Sequence, residues 1–93
     1  MKIKWETIQI IYMGKLADDK ESWRVEARTY SNNETCLNKE SKWMAYENYC
    51  DLEYNLSAPD MFPSKEAAEE ALKKYFKKNP KAFAIYISKR MLT

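Results

Sequence analysis

The chain has 93 residues, a formal net charge of +2, 45% hydrophobic residues and 32% charged residues. This length and composition predict a single globular domain over residues 1–93 and argue against an intrinsically disordered chain. The sequence has no histidine and one glycine, which excludes a Ser-His or Cys-His catalytic pair, a P-loop and a dinucleotide-binding fingerprint.

The first predicted element is a strand over residues 2–13, in which apolar and polar residues alternate. The alternation changes phase partway: the apolar residues are odd-numbered from Ile3 and even-numbered from Ile8. A β-bulge at Glu6-Thr7 would keep both apolar sets on one face of the sheet. A straight strand with a partly apolar second face explains the same pattern, and the sequence does not decide between the two.

A hairpin is predicted next. The polar residues 14–22 indicate the connection, and residues 23–30 alternate as the second strand. Residues 31–34 are Ser-Asn-Asn-Glu, which is typical of a turn.

Residues 37–56 are ambiguous, because their apolar positions fit one face of a helix or one face of a strand. We favour a strand at 49–56, preceded by a strand or a short helical turn around Trp43. The sequence therefore leaves open whether residues 37–48 are helical or extended.

A helix is predicted over residues 64–78, with Ser64 as its N-cap and Asn79-Pro80 as its stop. Glutamates near its start and lysines near its end complement the helix dipole. Apolar residues at helical spacing define a face that we expect to pack on Ile8 and Ile10 of the first strand. This predicted buried face consists of Ala68, Ala71, Leu72, Tyr75 and Phe76.

Residues 82–88 alternate in the manner of a final strand. The predicted fold class is therefore α+β, in the order β-β-(β)-α-β. A small, mostly antiparallel sheet of three to four strands would carry one main amphipathic helix on one face.

The sequence predicts a cytoplasmic protein without a cofactor. No segment has the pattern of a secretory signal or a membrane span. Cys36 and Cys50 are then expected to be reduced thiols, although the sequence alone leaves their pairing open. Two cysteines without histidine are too few soft ligands for a structural zinc site.

Acidic and aromatic residues are concentrated between Glu34 and Asp60. Tyrosine and tryptophan provide contact area at low entropic cost, so this composition suits a protein-binding surface. The alternative is that the aromatic residues form the edge of the core and the charges only solvate it. The candidate partner-binding residues are Trp43, Tyr46, Tyr49, Asp51, Glu53 and Tyr54.

Basic residues are concentrated in the C-terminal third of the chain. They suit a surface for nucleic-acid phosphates, or they are a solvated helix face stabilised by the helix dipole. Lysine in place of arginine argues against the reading of bases. The candidate nucleic-acid-binding residues are Lys73, Lys74, Lys77, Lys78, Lys81, Lys89 and Arg90.

The leading hypothesis from the sequence is a non-enzymatic binding protein that occupies a surface of a partner protein. The alternative is a nucleic-acid-binding module that uses the basic end of the helix. Homo-oligomerisation is compatible with both, because the chain has more aromatic residues than a core of this size buries.

Residues 61–71, Met-Phe-Pro-Ser-Lys-Glu-Ala-Ala-Glu-Glu-Ala, resemble the strand-to-helix junction of many small sheet-plus-helix modules. The arm-type DNA-binding domains of phage integrases are among these modules, and we infer no function from the resemblance. The Lys-, Asn- and Tyr-rich composition is also similar to that of accessory proteins of AT-rich phages. Some of those proteins inhibit host enzymes or defence systems, which would suit a binding protein.

Overall fold

The computed structural model describes residues 2–15, 20–45 and 61–91, and of residues 90 and 91 it describes the backbone only. Within these ranges the chain forms four strands and then two helices, which confirms the predicted α+β fold class. The elements are β1 (Ile3–Lys15), β2 (Glu21–Thr29), β3 (Glu34–Leu37), β4 (Trp43–Ala45), α1 (Lys65–Lys78) and α2 (Pro80–Met91).

The four described strands form one antiparallel sheet in the order β1-β2-β3-β4, so neighbours in the sheet are also neighbours along the chain. β3 and β4 are short, and Leu37 lies opposite Trp43 in their register. β3 pairs with residues 26–28 of β2, and Phe62 pairs with β2 at Trp23. The backbones of Phe62 and Trp23 exchange two 2.8 Å hydrogen bonds. The segment that leads into α1 is thereby attached to the sheet.

A large β-bulge interrupts β1 where the alternation of the sequence changes phase. Between Lys4 and Gln9, five residue steps on β1 lie opposite only two steps on β2. This excess is an odd number of residues, which reverses the alternation of side chains between the two faces of the sheet. The odd-numbered Ile3 and the even-numbered Ile8 are therefore both buried in the same core. Thr7 closes the bulge, because its hydroxyl donates a 2.6 Å hydrogen bond to the Lys4 carbonyl and accepts a 2.9 Å hydrogen bond from a β2 amide. The straight-strand alternative is therefore excluded.

Two predictions for the middle of the chain can be compared with the structure. The turn predicted at 31–34 is one residue too long, because β3 begins at Glu34. The extended alternative around Trp43 is confirmed, since this residue begins β4. The strand predicted at 49–56 lies outside the described residues.

Helix α1 has the N-cap and the buried face that the sequence predicts. Ser64 is the N-cap residue, and its hydroxyl accepts a 3.1 Å hydrogen bond from the Ala67 amide. The helix ends at Lys78, because the next residue precedes a proline and leaves the helical conformation. On the predicted face, Ala68, Leu72 and Phe76 are buried, and Ala71 and Tyr75 are partly buried.

The predicted last strand at 82–88 is wrong, because this segment belongs to helix α2. Pro80 takes the first helical position, where its fixed φ and missing amide hydrogen suit a helix start. The apolar run alternates as a strand requires, but it also places Phe83 and Tyr86 one helical turn apart. Both rings contact Phe76 of α1, at centroid distances of 5.2 and 5.0 Å. Packing between the helices therefore selects the helical period, and the fold has two helices where one main helix was predicted.

The core lies between the sheet and the two helices. Helix α1 packs across β1 and β2, whereas α2 packs along β1. The predicted contact of α1 with the first strand is part of this core, and α2 shares that strand with α1. The buried apolar residues that cluster in this core are Ile3, Ile8, Val25, Ala27, Leu37, Phe62, Ala68, Leu72, Phe76 and Ala82.

Candidate functional site

A groove of about 460 Å³ lies between helix α1 and the loop that joins β3 to β4. Of its lining residues that the structure describes, four are lysines and one is a glutamate, so positive charge predominates among them. We refer to it as the lysine groove. It is lined by Lys39, Ser41, Glu70, Ala71, Lys73, Lys74 and Lys77.

Helix α1 supplies most of this charge. Residues 70, 73, 74 and 77 follow the spacing i, i+3, i+4 and i+7, which puts them on the face opposite the buried one. The Lys73 ammonium is 4.0 Å from the Glu70 carboxylate, and both side chains are more than three-quarters exposed. An exposed pair of this kind is held weakly. The groove lysines are thus accessible to an anion from solution.

The β3–β4 loop is shaped by Asn38, which is buried. The Asn38 side-chain carbonyl accepts hydrogen bonds from the amides of Glu40 and Lys42, at 2.9 and 3.0 Å. Its backbone carbonyl accepts a 3.0 Å hydrogen bond from the Ser41 amide. An asparagine that organises a turn in this way holds Lys39 and Ser41 at the groove.

The structure separates the predicted nucleic-acid-binding residues into two groups. Lys73, Lys74 and Lys77 line the groove, together with Lys39, which the sequence did not indicate as part of the basic cluster. Lys39 belongs to a different element, and no local pattern relates it to α1. Lys78, Lys81 and Lys89 are exposed but do not line the groove, and the Arg90 side chain lies outside the described residues.

Among the predicted partner-binding residues, Trp43 is the one that the structure describes. Its ring lies 6.5 Å from that of Trp5 and 5.7 Å from that of Tyr75. These contacts connect both edge strands of the described sheet to α1, so Trp43 lies half-buried at the edge of the core. The remaining residues of the set, Tyr46, Tyr49, Asp51, Glu53 and Tyr54, lie outside the described residues.

The Tyr75 phenol lies in a partly buried position beside the Trp43 ring. Burial raises the pKa of the Tyr75 phenol, and the neighbouring Trp43 indole has a smaller effect in the opposite direction. The buried Trp43 Nε1 has no hydrogen-bond partner within the described part of the chain. The ring contacts of the two residues place both side chains where α1 packs on the sheet.

Within the described ranges, no group of three or more Asp, Glu or Cys residues is placed to hold a metal ion. Neither of the two described helices is long and apolar enough to cross a membrane. Comparisons of the chain with protein-family models, curated proteins and solved structures find no match. The geometry and charge of the groove are therefore the features of the chain that bear on its function, and the resemblance to phage accessory proteins stays a prediction.

Proposed function

We propose that this chain is a small, non-enzymatic, cytoplasmic protein that binds nucleic acid through its phosphates in the lysine groove. The supporting observation is that, among the described residues that line the groove, four are lysines from two separate elements and one carries a carboxylate. A polymer with closely spaced negative charges is strongly attracted to such an arrangement. The hypothesis of a protein partner depends mainly on residues 46–54, which lie outside the described residues.

The proposed binding is independent of base sequence. Lysine binds phosphate as a point charge and lacks the planar fork with which arginine reads guanine. Among the described residues that line the groove there is no aromatic side chain on which a base would stack. The phosphate backbone is thus the part of a nucleic acid that these side chains suit.

The proposal predicts a strong dependence on salt, because each neutralised phosphate releases a counterion. If the four groove lysines each contact one phosphate of duplex DNA, log K should fall with log[salt] at a slope of about −3.6. Affinity should then drop on the order of 100-fold between about 50 and 200 mM salt. Fluorescence anisotropy with labelled duplex DNA, single-stranded DNA and RNA measures this directly. Absence of binding to all three at low salt would reject the proposal.

A pair of matched variants distinguishes binding in the groove from attraction to the positive charge of the protein as a whole. Lys77→Glu and Lys78→Glu change the same charge at exposed, adjacent positions of α1, but only Lys77 lines the groove. We expect Lys77→Glu and Lys39→Glu to weaken binding about tenfold or more, and Lys78→Glu to weaken it clearly less. Equal losses at positions 77 and 78 would show that net charge, and not the groove, determines binding.

A partner protein is the second candidate, and a different surface favours it. Tyr12 and Met13 are 47% and 45% exposed near the end of β1, an edge strand of the described sheet. Exposed apolar side chains on a sheet edge suit contact with another protein. Affinity capture from the source cell followed by mass spectrometry, with Tyr12→Ser/Met13→Lys as a matched variant, tests this. A protein retained equally by both forms would count against this edge as its binding surface.

A further inference from the structure

Ser41 has a backbone conformation that its residue type does not favour. Its φ angle is 63°, in the left-handed region that glycine and asparagine adopt more readily than serine. The hydrogen bonds of Asn38 hold the loop in this form. A glycine would meet the demands of this turn with less strain, so the turn alone does not account for a serine side chain.

The hydroxyl of Ser41 is the second unusual feature. Its Oγ is shielded from solvent and has no hydrogen-bond partner within the described part of the chain. Buried polar atoms in proteins are nearly always paired, and an exception requires an explanation, such as a ligand that supplies the missing partner. Ser41 lines the lysine groove, so a groove ligand is the natural source of an acceptor.

We propose that Ser41 and Lys39 bind one phosphodiester group of a nucleic-acid backbone at the loop end of the lysine groove. A phosphodiester has two non-bridging oxygens that share one negative charge. One oxygen would accept from the Ser41 hydroxyl and the other from the Lys39 ammonium, and charge-assisted hydrogen bonds of this kind are short and strong. Because the Ser41 hydroxyl is shielded from solvent in the structure, this contact requires its side chain to turn about χ1 to another staggered rotamer that directs the hydroxyl into the groove.

This inference rests on the proposed function and adds to it. It distinguishes a directional contact at the loop from the general attraction of the α1 lysines. It also predicts that an uncharged residue contributes to affinity without contributing to the salt dependence, because only charged contacts release counterions.

Two substitutions at one position test the role of the hydroxyl. Ser41→Ala and Ser41→Gly both remove it, but glycine relaxes the left-handed backbone whereas alanine does not. If the hydroxyl binds phosphate, both variants should lose about tenfold in affinity for single-stranded DNA at fixed salt. If Ser41 matters only for the shape of the loop, the two variants should differ from each other, and this result would overturn the inference.

The salt dependence provides the matched control. Lys39→Gln should reduce the slope of log K against log[salt] by about one, whereas both Ser41 variants should keep the wild-type slope. Binding by wild type and Ser41 variants with equal affinity would overturn the inference and leave the proposed function intact.

Inorganic phosphate gives a test that does not depend on nucleic-acid binding. In ¹⁵N-resolved NMR spectra of the full chain, phosphate should shift the amide signals of residues 39–42 in wild type, and less so in Ser41→Ala. If wild type binds neither DNA nor RNA but shows these shifts, the proposed function fails and the phosphate site stands. Shifts of equal size in both forms, or none in wild type, would overturn the phosphate site.

Discussion

Removal of the Phe76 ring is the most informative test of the fold, because this side chain connects the two helices and the sheet. Phe76 is 8% exposed and belongs to the main core. Its ring lies 6.1 Å from Tyr75, 5.2 Å from Phe83 and 5.0 Å from Tyr86. Phe76→Ala would therefore remove contacts within α1 and between α1 and α2 at once.

The expected cost of Phe76→Ala is large relative to the total stability. Truncation of a buried phenylalanine to alanine typically costs about 3–5 kcal/mol, since the lost burial is accompanied by a cavity. A domain of this length has a free energy of unfolding of about 5–14 kcal/mol. At about 4–8 °C per kcal/mol, a loss of 3 kcal/mol lowers the melting temperature by about 12 °C or more.

Thermal and urea denaturation followed by circular dichroism measure this effect. Lys77→Ala is the control, because Lys77 is exposed on the opposite face of α1 and its loss should change the unfolding free energy by about 0.5 kcal/mol or less. A melting temperature of Phe76→Ala within about 2 °C of wild type would refute the packing of α1 and α2 described above.

Three further outcomes are expected. Ala82→Lys should lower the free energy of unfolding by more than about 2 kcal/mol and Ala84→Lys by little, because Ala82 is buried in α2 and Ala84 is exposed. A strand would put both residues on one side, so equal melting temperatures of the two variants would contradict the helix. Thr7→Val should cost about 1–2 kcal/mol in urea denaturation, since the bulge loses both hydrogen bonds of the hydroxyl, and Thr7→Ser should retain most of the stability. Burial raises the pKa of the Tyr75 phenol above its ordinary value of 10.0. The contribution of this pKa difference to the free energy of unfolding should be complete below pH 10.0 and should be lost as the pH rises through the pKa of the folded state. Tyr75→Phe should remove this component, and an unchanged pH profile of the unfolding free energy in that variant would contradict the assignment.

Local signals in the sequence predict α1 well. The N-cap serine, the charge order and the proline after Asn79 each act within a few residues, so they work in the isolated sequence as they do in the fold. The phase change in the first strand likewise indicates the bulge. The sequence could not exclude the straight strand, because only the pairing with β2 shows the excess residues.

Helix α2 shows the limit of such signals. A short apolar run fits both a period of two and a period of 3.6, and the pattern alone does not separate them. The contacts of Phe83 and Tyr86 with Phe76 decide between the two, and they join α2 to a separate helix, which no local pattern in the run contains. Tertiary packing therefore overrides the alternating pattern here.

For the candidate site, the sequence by itself determined that lysines gather on the exposed face of α1, because helical periodicity is a local property. It did not indicate that Lys39 and Ser41 join them, since these residues belong to a separate hairpin. Their approach to α1 depends on the antiparallel order of β2, β3 and β4 and on the packing of α1 across the sheet. A groove formed by two elements is a long-range property of the fold, and only the tertiary structure decided which of the lysines share it.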